Sequence, residues 1–455
     1  MKIHPPVMLP LVLAAAAALT LSVLPAAAAP IDDFTSREAT KPAPGVDMPE
    51  LIAARTAYTK GQLDECKTQL ELAKRKASNL PPVDFMLARL HLAHNNRGAA
   101  KALMEKVAIE HVQHPEVYLL FGNMALEEGR LTDAVLHFEK AETLKDAVPR
   151  DWTVDQKNAL KIQIFRGYAN VSEKREDWFR TQVALKALTN VVPTDAKLRD
   201  RLGVALFMLG REQEAFDQFQ TAARLDSEMN PPEVSMAVMH VRQQETDKAI
   251  KQFAAAERKH PRDGRVHYEA AGMFLLMDQA AQAKRHANKA AELGLDTLKL
   301  TMQRGFIARQ LGEYAQAEKY FSQVLEEVPT SFEAANQLAI VLSHQDDPEK
   351  KRRALELAAL NARQYPNSSQ AMSTVGWVYY NLGRKQEAQR ALQTAVSRPT
   401  VRSETLYFLA RVLWENGSKE DARRIAEQVK LAVEKPGLLV LRPEIKKWIA
   451  ETAVN

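Results

Sequence analysis

Small and bulky apolar residues recur along this chain with a period of 34 residues. A frame of that length starts at Asp47, Pro81 and Pro115, restarts at Ile162, and runs on through Ala196, Asn230, Gly264, Leu298 and Phe332. It resumes at Ser369 and Ser403. The eighth position is then Ala54, Ala88, Gly122, Ala169, Gly203, Ala237, Ala271, Gly305, Ala339, Gly376 and Ala410, although Ala and Gly make up only about a fifth of the chain. The twentieth position is Ala in nine frames, with Cys66 and Thr181 in the other two. Bulky residues surround these positions at helical spacing, as Tyr118, Phe121 and Phe138 do in the third frame and Val375, Tyr379 and Leu392 in the tenth. Self-similarity at this period marks a supersecondary unit that buries its apolar face by stacking on its neighbours.

The pattern predicts two antiparallel helices per frame. Helix axes approach closely only where both helices present small residues, and positions 8 and 20 are expected to form that contact. Gly at position 15 (Gly61, Gly129, Gly210, Gly312, Gly383, Gly417) suits a helix end that turns left-handed. Pro at the frame junctions (Pro81, Pro115, Pro193, Pro231, Pro261, Pro329) ends the second helix before the next begins. The Ala-rich, β-branch-poor composition agrees, since Ala loses no side-chain entropy in a helix.

The frame is interrupted twice. Pro149 to Lys161 (PRDWTVDQKNALK) separates the third and fourth repeats, and is expected to lengthen a helix or form a protruding loop. The ninth repeat carries three extra residues around Gln345-Asp346-Asp347-Pro348, and its position 27 is Asn361, a poor fit to an apolar contact. After Pro436, the segment 438–448 (LLVLRPEIKKW) has Pro443 at a helix start, which predicts a capping helix over the last repeat.

These residues resemble the tetratricopeptide repeat family: Gly376-x-x-Tyr379 with Ala388 and Leu392, and Gly305 with Gly312, Tyr314, Ala317 and Phe321. The resemblance covers residues 47 to about 436. It implies an all-α, right-handed superhelical solenoid of about eleven helix-turn-helix repeats with a C-terminal capping helix. Repeats 1–3 would take residues 47–148, the insertion 149–161, repeats 4–11 residues 162–436 and the cap 437–455. It also implies a scaffold for protein or peptide partners, whose inner groove is lined by positions 2, 5, 9, 12 and 13 of the first helices.

On that reading the middle of the chain offers an apolar stripe that includes Phe207, Val241, Tyr268, Met302 and Phe306, with Arg309 at its edge. Such a stripe accepts an amphipathic helix or an extended peptide, unless a tight superhelix buries it against itself. The last two repeats place Trp377, Tyr380, Tyr407, Arg411 and Trp414 at inner positions, where they are expected to converge. Trp, Tyr and Arg are enriched at binding hot spots. The cluster is therefore either a contact surface for a partner or a capping core closed by the segment containing Trp448. Some family members grip a C-terminal carboxylate. Asn123, Lys197 and Arg201 match parts of that pattern, but Leu119 and Gly167 replace required polar residues.

Candidate chemistry changes this picture little. No Gly-rich phosphate loop, Gly-x-Ser-x-Gly or His-Glu-x-x-His occurs, so no catalytic site and no cofactor are expected. The His91/His94 and His111/His114 pairs have no nearby Cys and no convincing carboxylate set, so no metal site is expected either. Cys66 is the single cysteine, standing where Ala is usual, and precludes an intramolecular disulfide. The formal charge of +5 is small for 455 residues and is interspersed with acids, which argues against nucleic acid as a partner.

The N-terminus adds an address. Lys2, an apolar run from Val7 to Leu24 and the sequence Ala26-Ala27-Ala28-Ala29 read as a signal peptide over residues 1–29, followed by a flexible linker over residues 30–46. Export to a bacterial periplasm is the expectation. Secretion, or membrane contact through an uncleaved N-terminal segment, are the alternatives. The expected function is a non-catalytic extracytoplasmic scaffold for protein or peptide partners, serving envelope or secretion assembly. A glycan-binding helper of polysaccharide export or cell-wall handling is the alternative.

Overall fold

The computed structural model describes residues 48–150, 152–433 and 441–453. The expected signal segment and linker lie outside the described residues. Among the described residues there are 23 helices and no strands. Twenty-two of them form eleven antiparallel pairs, one per repeat, and the last, Arg442–Ala453, follows the eleventh pair. None is long and apolar enough to cross a membrane. The chain divides into two compact units after Pro232.

The first unit holds repeats 1–5. Its first helices are Pro49–Thr59, Val83–Ala93, Pro115–Glu127, Val154–Lys174 and Ala196–Met208, and its second helices are Leu63–Lys76, Arg97–Glu110, Leu131–Thr143, Trp178–Val191 and Glu212–Leu225. The insertion is spent mainly on helix: Val154–Lys174 runs 21 residues where the other first helices run 11–13. Thr153 starts it with a capping box, its Oγ1 accepting from the Gln156 amide at 3.2 Å while Gln156 Oε1 accepts from the Thr153 amide at 2.8 Å.

The second unit holds the first helices Pro232–Arg242, Gly264–Leu276, Leu298–Gln310, Phe332–Ser343, Ser369–Asn381 and Ser403–Glu415. Its second helices are Thr246–Lys259, Ala280–Glu292, Tyr314–Glu327, Pro348–Gln364, Lys385–Val396 and Lys419–Val433. The three extra residues of repeat 9 extend Pro348–Gln364 to 17 residues, with Asp347 accepting from the Glu349 and Lys350 amides. Asn361 solves its misfit by hydrogen bonding: its buried amide donates to Asn336 Oδ1 at 2.8 Å and to the Phe332 carbonyl at 3.1 Å.

The close contact within a hairpin differs from the expected pairing of positions 8 and 20. Both positions are buried throughout the repeats, but the Cβ direction at position 8 aims first at the side chain of position 24. A Cβ on Gly122 would lie 2.9 Å from Phe138, one on Gly203 2.6 Å from Phe219, one on Gly305 2.5 Å from Phe321, and one on Gly376 2.5 Å from Leu392. In these four repeats the bulky position 24 fills the space a methyl at position 8 would need, while repeat 6 holds Ala237 opposite Phe253.

Position 15 is left-handed in ten repeats. Six carry Gly with φ between +73° and +89°, and the others carry Asn95, Glu176, Gln244 and Asp278 with φ of +57° to +63°. A left-handed non-Gly residue costs roughly 1–2 kcal/mol, part of which Gly returns through its greater unfolded-state entropy. Gln244→Gly and Glu176→Gly should therefore each stabilise the chain by about 0.5–1 kcal/mol, read as higher urea midpoints. Lowered midpoints in both would remove the strain argument.

Candidate functional site

The five inner residues of the last two repeats do converge, and the terminal helix packs on three of them, Tyr407, Arg411 and Trp414. Trp377 and Tyr407 are 1% and 0% exposed. The Trp377 ring stacks on Phe408 at 4.0 Å and on Tyr380 at 4.7 Å, and lies 6.1 Å from Tyr407. Arg411 threads between the tyrosines, its Nε donating to Tyr380 Oη at 3.1 Å and its Nη1 to Tyr407 Oη at 2.8 Å. From the terminal helix, Trp448 meets Tyr407 and Trp414 edge-on at 5.6 Å and 6.3 Å. Glu444 Oε1 accepts from Tyr407 Oη and from Arg411 Nη1, each at 2.8 Å.

Burial first, then the Glu444 carboxylate, push the Tyr407 phenol well above its usual range, so it stays a donor. Ile445 is buried with Trp448 in the same cluster. The helix reaches further back along the unit, where Lys446 Nζ lies 3.5 Å from Asp278 Oδ2 of repeat 7. Trp377 and Tyr407 are enclosed and not open to a ligand, while Tyr380, Arg411 and Trp414 are half-buried.

The apolar stripe is interior in part. Phe207 lies in the first unit and is 5% exposed. In the second unit Phe306 and Arg309 are buried, at 6% and 3%. Phe306 meets Phe321 edge-on at 5.7 Å. Arg309 donates to Gln337, and its guanidinium lies 3.6 Å from the Glu404 carboxylate, which brings repeats 8 and 11 together. These contacts, not a partner, account for the burial of Phe306 and Arg309. Val241, Tyr268 and Met302 are half-buried and keep part of their surface free. The carboxylate-gripping arrangement is not assembled, because Arg201 is held by Glu173 at 2.8 Å and 2.9 Å and by Asn170 at 2.8 Å.

His344 belongs to the site and was missed in the sequence, although it stands at position 13 of repeat 9, itself an inner position. Its Nε2 accepts from Trp377 Nε1 at 3.2 Å and its ring stacks on Tyr314 at 4.8 Å. Burial, with Arg309 and Arg411 nearby, lowers its pKa to about 4. An unfolded imidazole takes up a proton near pH 6.5, whereas the folded one resists until about pH 4. Stability is therefore full above pH 6.5 and falls as the pH drops through that window, by at most about 1.4 kcal/mol per pH unit for this group. Urea unfolding at pH 7 and pH 5 should show this loss, and His344→Gln should reduce it. An unchanged pH dependence in the variant would separate His344 from the effect.

In the two histidine pairs His91 and His114 are packed while His94 and His111 are exposed. His91 is buried with its Nδ1 2.8 Å from Tyr58 Oη, and His114 lies against Phe85 at 4.8 Å. Cys66 is fully buried, and burial pushes its thiol pKa up. In the first unit a cleft of about 840 Å³ opens at the repeat junctions, lined among others by Lys67, Lys74, Asp84, His111 and Trp152.

A comparison with curated proteins finds no match to the chain. Yeast Tom70 is similar at 13% identity over 89% of this chain and 95% of that one, with a TM-score of 0.38. A tetratricopeptide repeat protein from Parabacteroides merdae is 15% identical over 56% of this chain and 99% of its own, with a TM-score of 0.37. A thermophilic TPR protein of Thermus thermophilus is 14% identical over 42% of this chain and 100% of its own, with a TM-score of 0.36. The tetratricopeptide repeat family model matches residues 85–151, 303–369 and 376–435. Over those three stretches, somewhat less than half of the chain, it is similar to the tetratricopeptide repeat, a helical hairpin that generally serves protein–protein interaction.

Proposed function

We propose that this chain is an exported, non-catalytic scaffold that holds protein or peptide partners in an envelope or secretion assembly. One observation carries the partner class: the inner positions of the second unit already seat an amphipathic helix, Arg442–Ala453, through apolar contact and a single carboxylate. Val241, Tyr268 and Met302 present apolar surface at inner positions on first helices of the same unit, surface of the kind a second such segment would use. The reading as a glycan binder loses its support, because Trp377 and Tyr407, the rings that would stack on sugars, are inside the core. Export rests on the N-terminal sequence: a basic start, an apolar run and a row of alanines.

Two measurements test this. Residues 1–46 fused to alkaline phosphatase should give an active enzyme, which requires passage out of the cytoplasm; an inactive fusion would overturn the location. A photo-crosslinking residue at Val241 or Met302 of the full chain should capture a discrete protein from the envelope fraction. The same probe at Leu360, an exposed residue of the second helix of repeat 9, should not. Capture of polysaccharide alone, or equal capture from all three positions, would overturn the scaffold reading.

A further inference from the structure

Three helices of the second unit bring two imidazoles and a carboxylate to one point. Glu257 comes from the second helix of repeat 6, and His267 and His286 come from the two helices of repeat 7. The Nδ1 atoms of His267 and His286 are 3.3 Å apart. Glu257 Oε1 lies 3.5 Å from the first and 3.3 Å from the second. The three atoms make a nearly equilateral triangle.

Its edges are informative. A charge-assisted N–H···O bond is about 2.7–2.9 Å long, so the distances to Glu257 are too long for good hydrogen bonds. Tetrahedral coordination with bonds of about 2.0–2.1 Å puts ligand atoms about 3.3–3.4 Å apart, whereas an octahedral cis edge with the same bonds would be about 2.8–3.0 Å. The observed triangle has the dimensions of one face of a tetrahedron. We propose that Glu257, His267 and His286 form a zinc site, binding one Zn²⁺ through three protein ligands and leaving the fourth vertex to water or to a donor on a bound partner.

The surroundings suit this use. Burial is the largest cause that lowers the pKa of both imidazoles below the ordinary value. Phe274 stacks on His286 at 5.0 Å and 20°, fixing the ring. Side-chain exposures of 13%, 22% and 36% for His267, His286 and Glu257 leave an entry path. No local motif announces the trio, since the histidines are nineteen positions apart and the carboxylate comes from the preceding repeat. The ion would tie repeat 6 to repeat 7, independently of how partners bind elsewhere.

The test uses the full tag-free chain. Co²⁺ should bind at one equivalent with the intense visible bands of a tetrahedral ion, and Zn²⁺ should displace it. His267→Ala and His286→Ala should abolish these bands, and Glu257→Gln should weaken binding at least tenfold. His240→Gln, which alters a histidine paired with Glu245 instead, should leave them intact. Melting curves without metal establish that each variant folds; added Zn²⁺ should raise the melting temperature of the parent and of His240→Gln alone. Absence of binding by the parent, a pale octahedral Co²⁺ spectrum, or binding that survives His286→Ala and Glu257→Gln would each overturn the site.

Discussion

Trp377→Ala should cost the second unit about 3–5 kcal/mol of stability, the range for deleting a large aromatic from a packed core. The indole is 1% exposed, lies flat between Phe408 and Tyr380, and gives its one N–H to His344. The alanine variant leaves a cavity and also leaves the buried Nε2 of His344 without its donor. Trp377→Phe keeps most of the stacking and should lose far less, so the pair separates volume from hydrogen bonding. Tyr407→Phe removes one hydroxyl that serves both Arg411 and Glu444, and should loosen the terminal helix before the repeats unfold. Urea unfolding followed by circular dichroism measures the first effect, and proteolysis near residue 437 the second. A Trp377→Ala chain with a normal unfolding midpoint but no partner recovery would return the cluster to the role of an open binding surface.

What was legible in the sequence follows the range of the interactions. The helical hairpin is encoded by contacts inside one repeat, so a single register of small residues at positions 8 and 20 exposes it. The left-handed turn is equally local: Gln244 and Glu176 adopt it without glycine because the helices on either side impose it. The inner wall was legible as positions but not as surface. Whether an inner residue is free depends on what covers it, and the cover comes from far along the chain. Glu404 approaches Arg309 from three repeats away, and Lys446 reaches Asp278 from the terminal helix. For Phe306, Arg309, Trp377 and Tyr407 the sequence leaves both groove surface and buried core open, and all four are buried, while Val241, Tyr268 and Met302 keep part of their surface. The convergence of Trp377, Tyr380, Tyr407, Arg411 and Trp414 was legible because adjacent first helices stack in register. Glu257, His267 and His286 were not, since the pairing of their helices, and no motif, brings them together.

Gly305→Leu should destabilise the chain by about 3 kcal/mol, at the upper end of the usual cost of overpacking. A Cβ alone at Gly305 would stand 2.5 Å, 2.8 Å and 2.9 Å from three ring atoms of Phe321. That ring is fully buried and held edge-on by Phe306, so it has nowhere to retreat. Alanine is the gentler change and a weaker test, since repeat 6 already pairs Ala237 with Phe253 in its own hairpin. The decisive arm is compensation. Repeats 2 and 4 hold Ala88 and Ala169 opposite Met104 and Leu185, whereas a Cβ on Gly376 would lie 2.5 Å from Leu392, so a shorter position 24 is expected to relieve the clash at Gly305 only in part. Gly305→Ala in a Phe321→Leu background should therefore cost less than in the parent, with a coupling of about 1 kcal/mol or more between the two sites. The effect should fade within a few repeats, because each hairpin rests mainly on its neighbours. Thermal or urea unfolding of the four chains measures the coupling. Additive changes, or a Gly305→Leu chain that melts like its parent, would mean that positions 8 and 24 do not set the spacing of the hairpin.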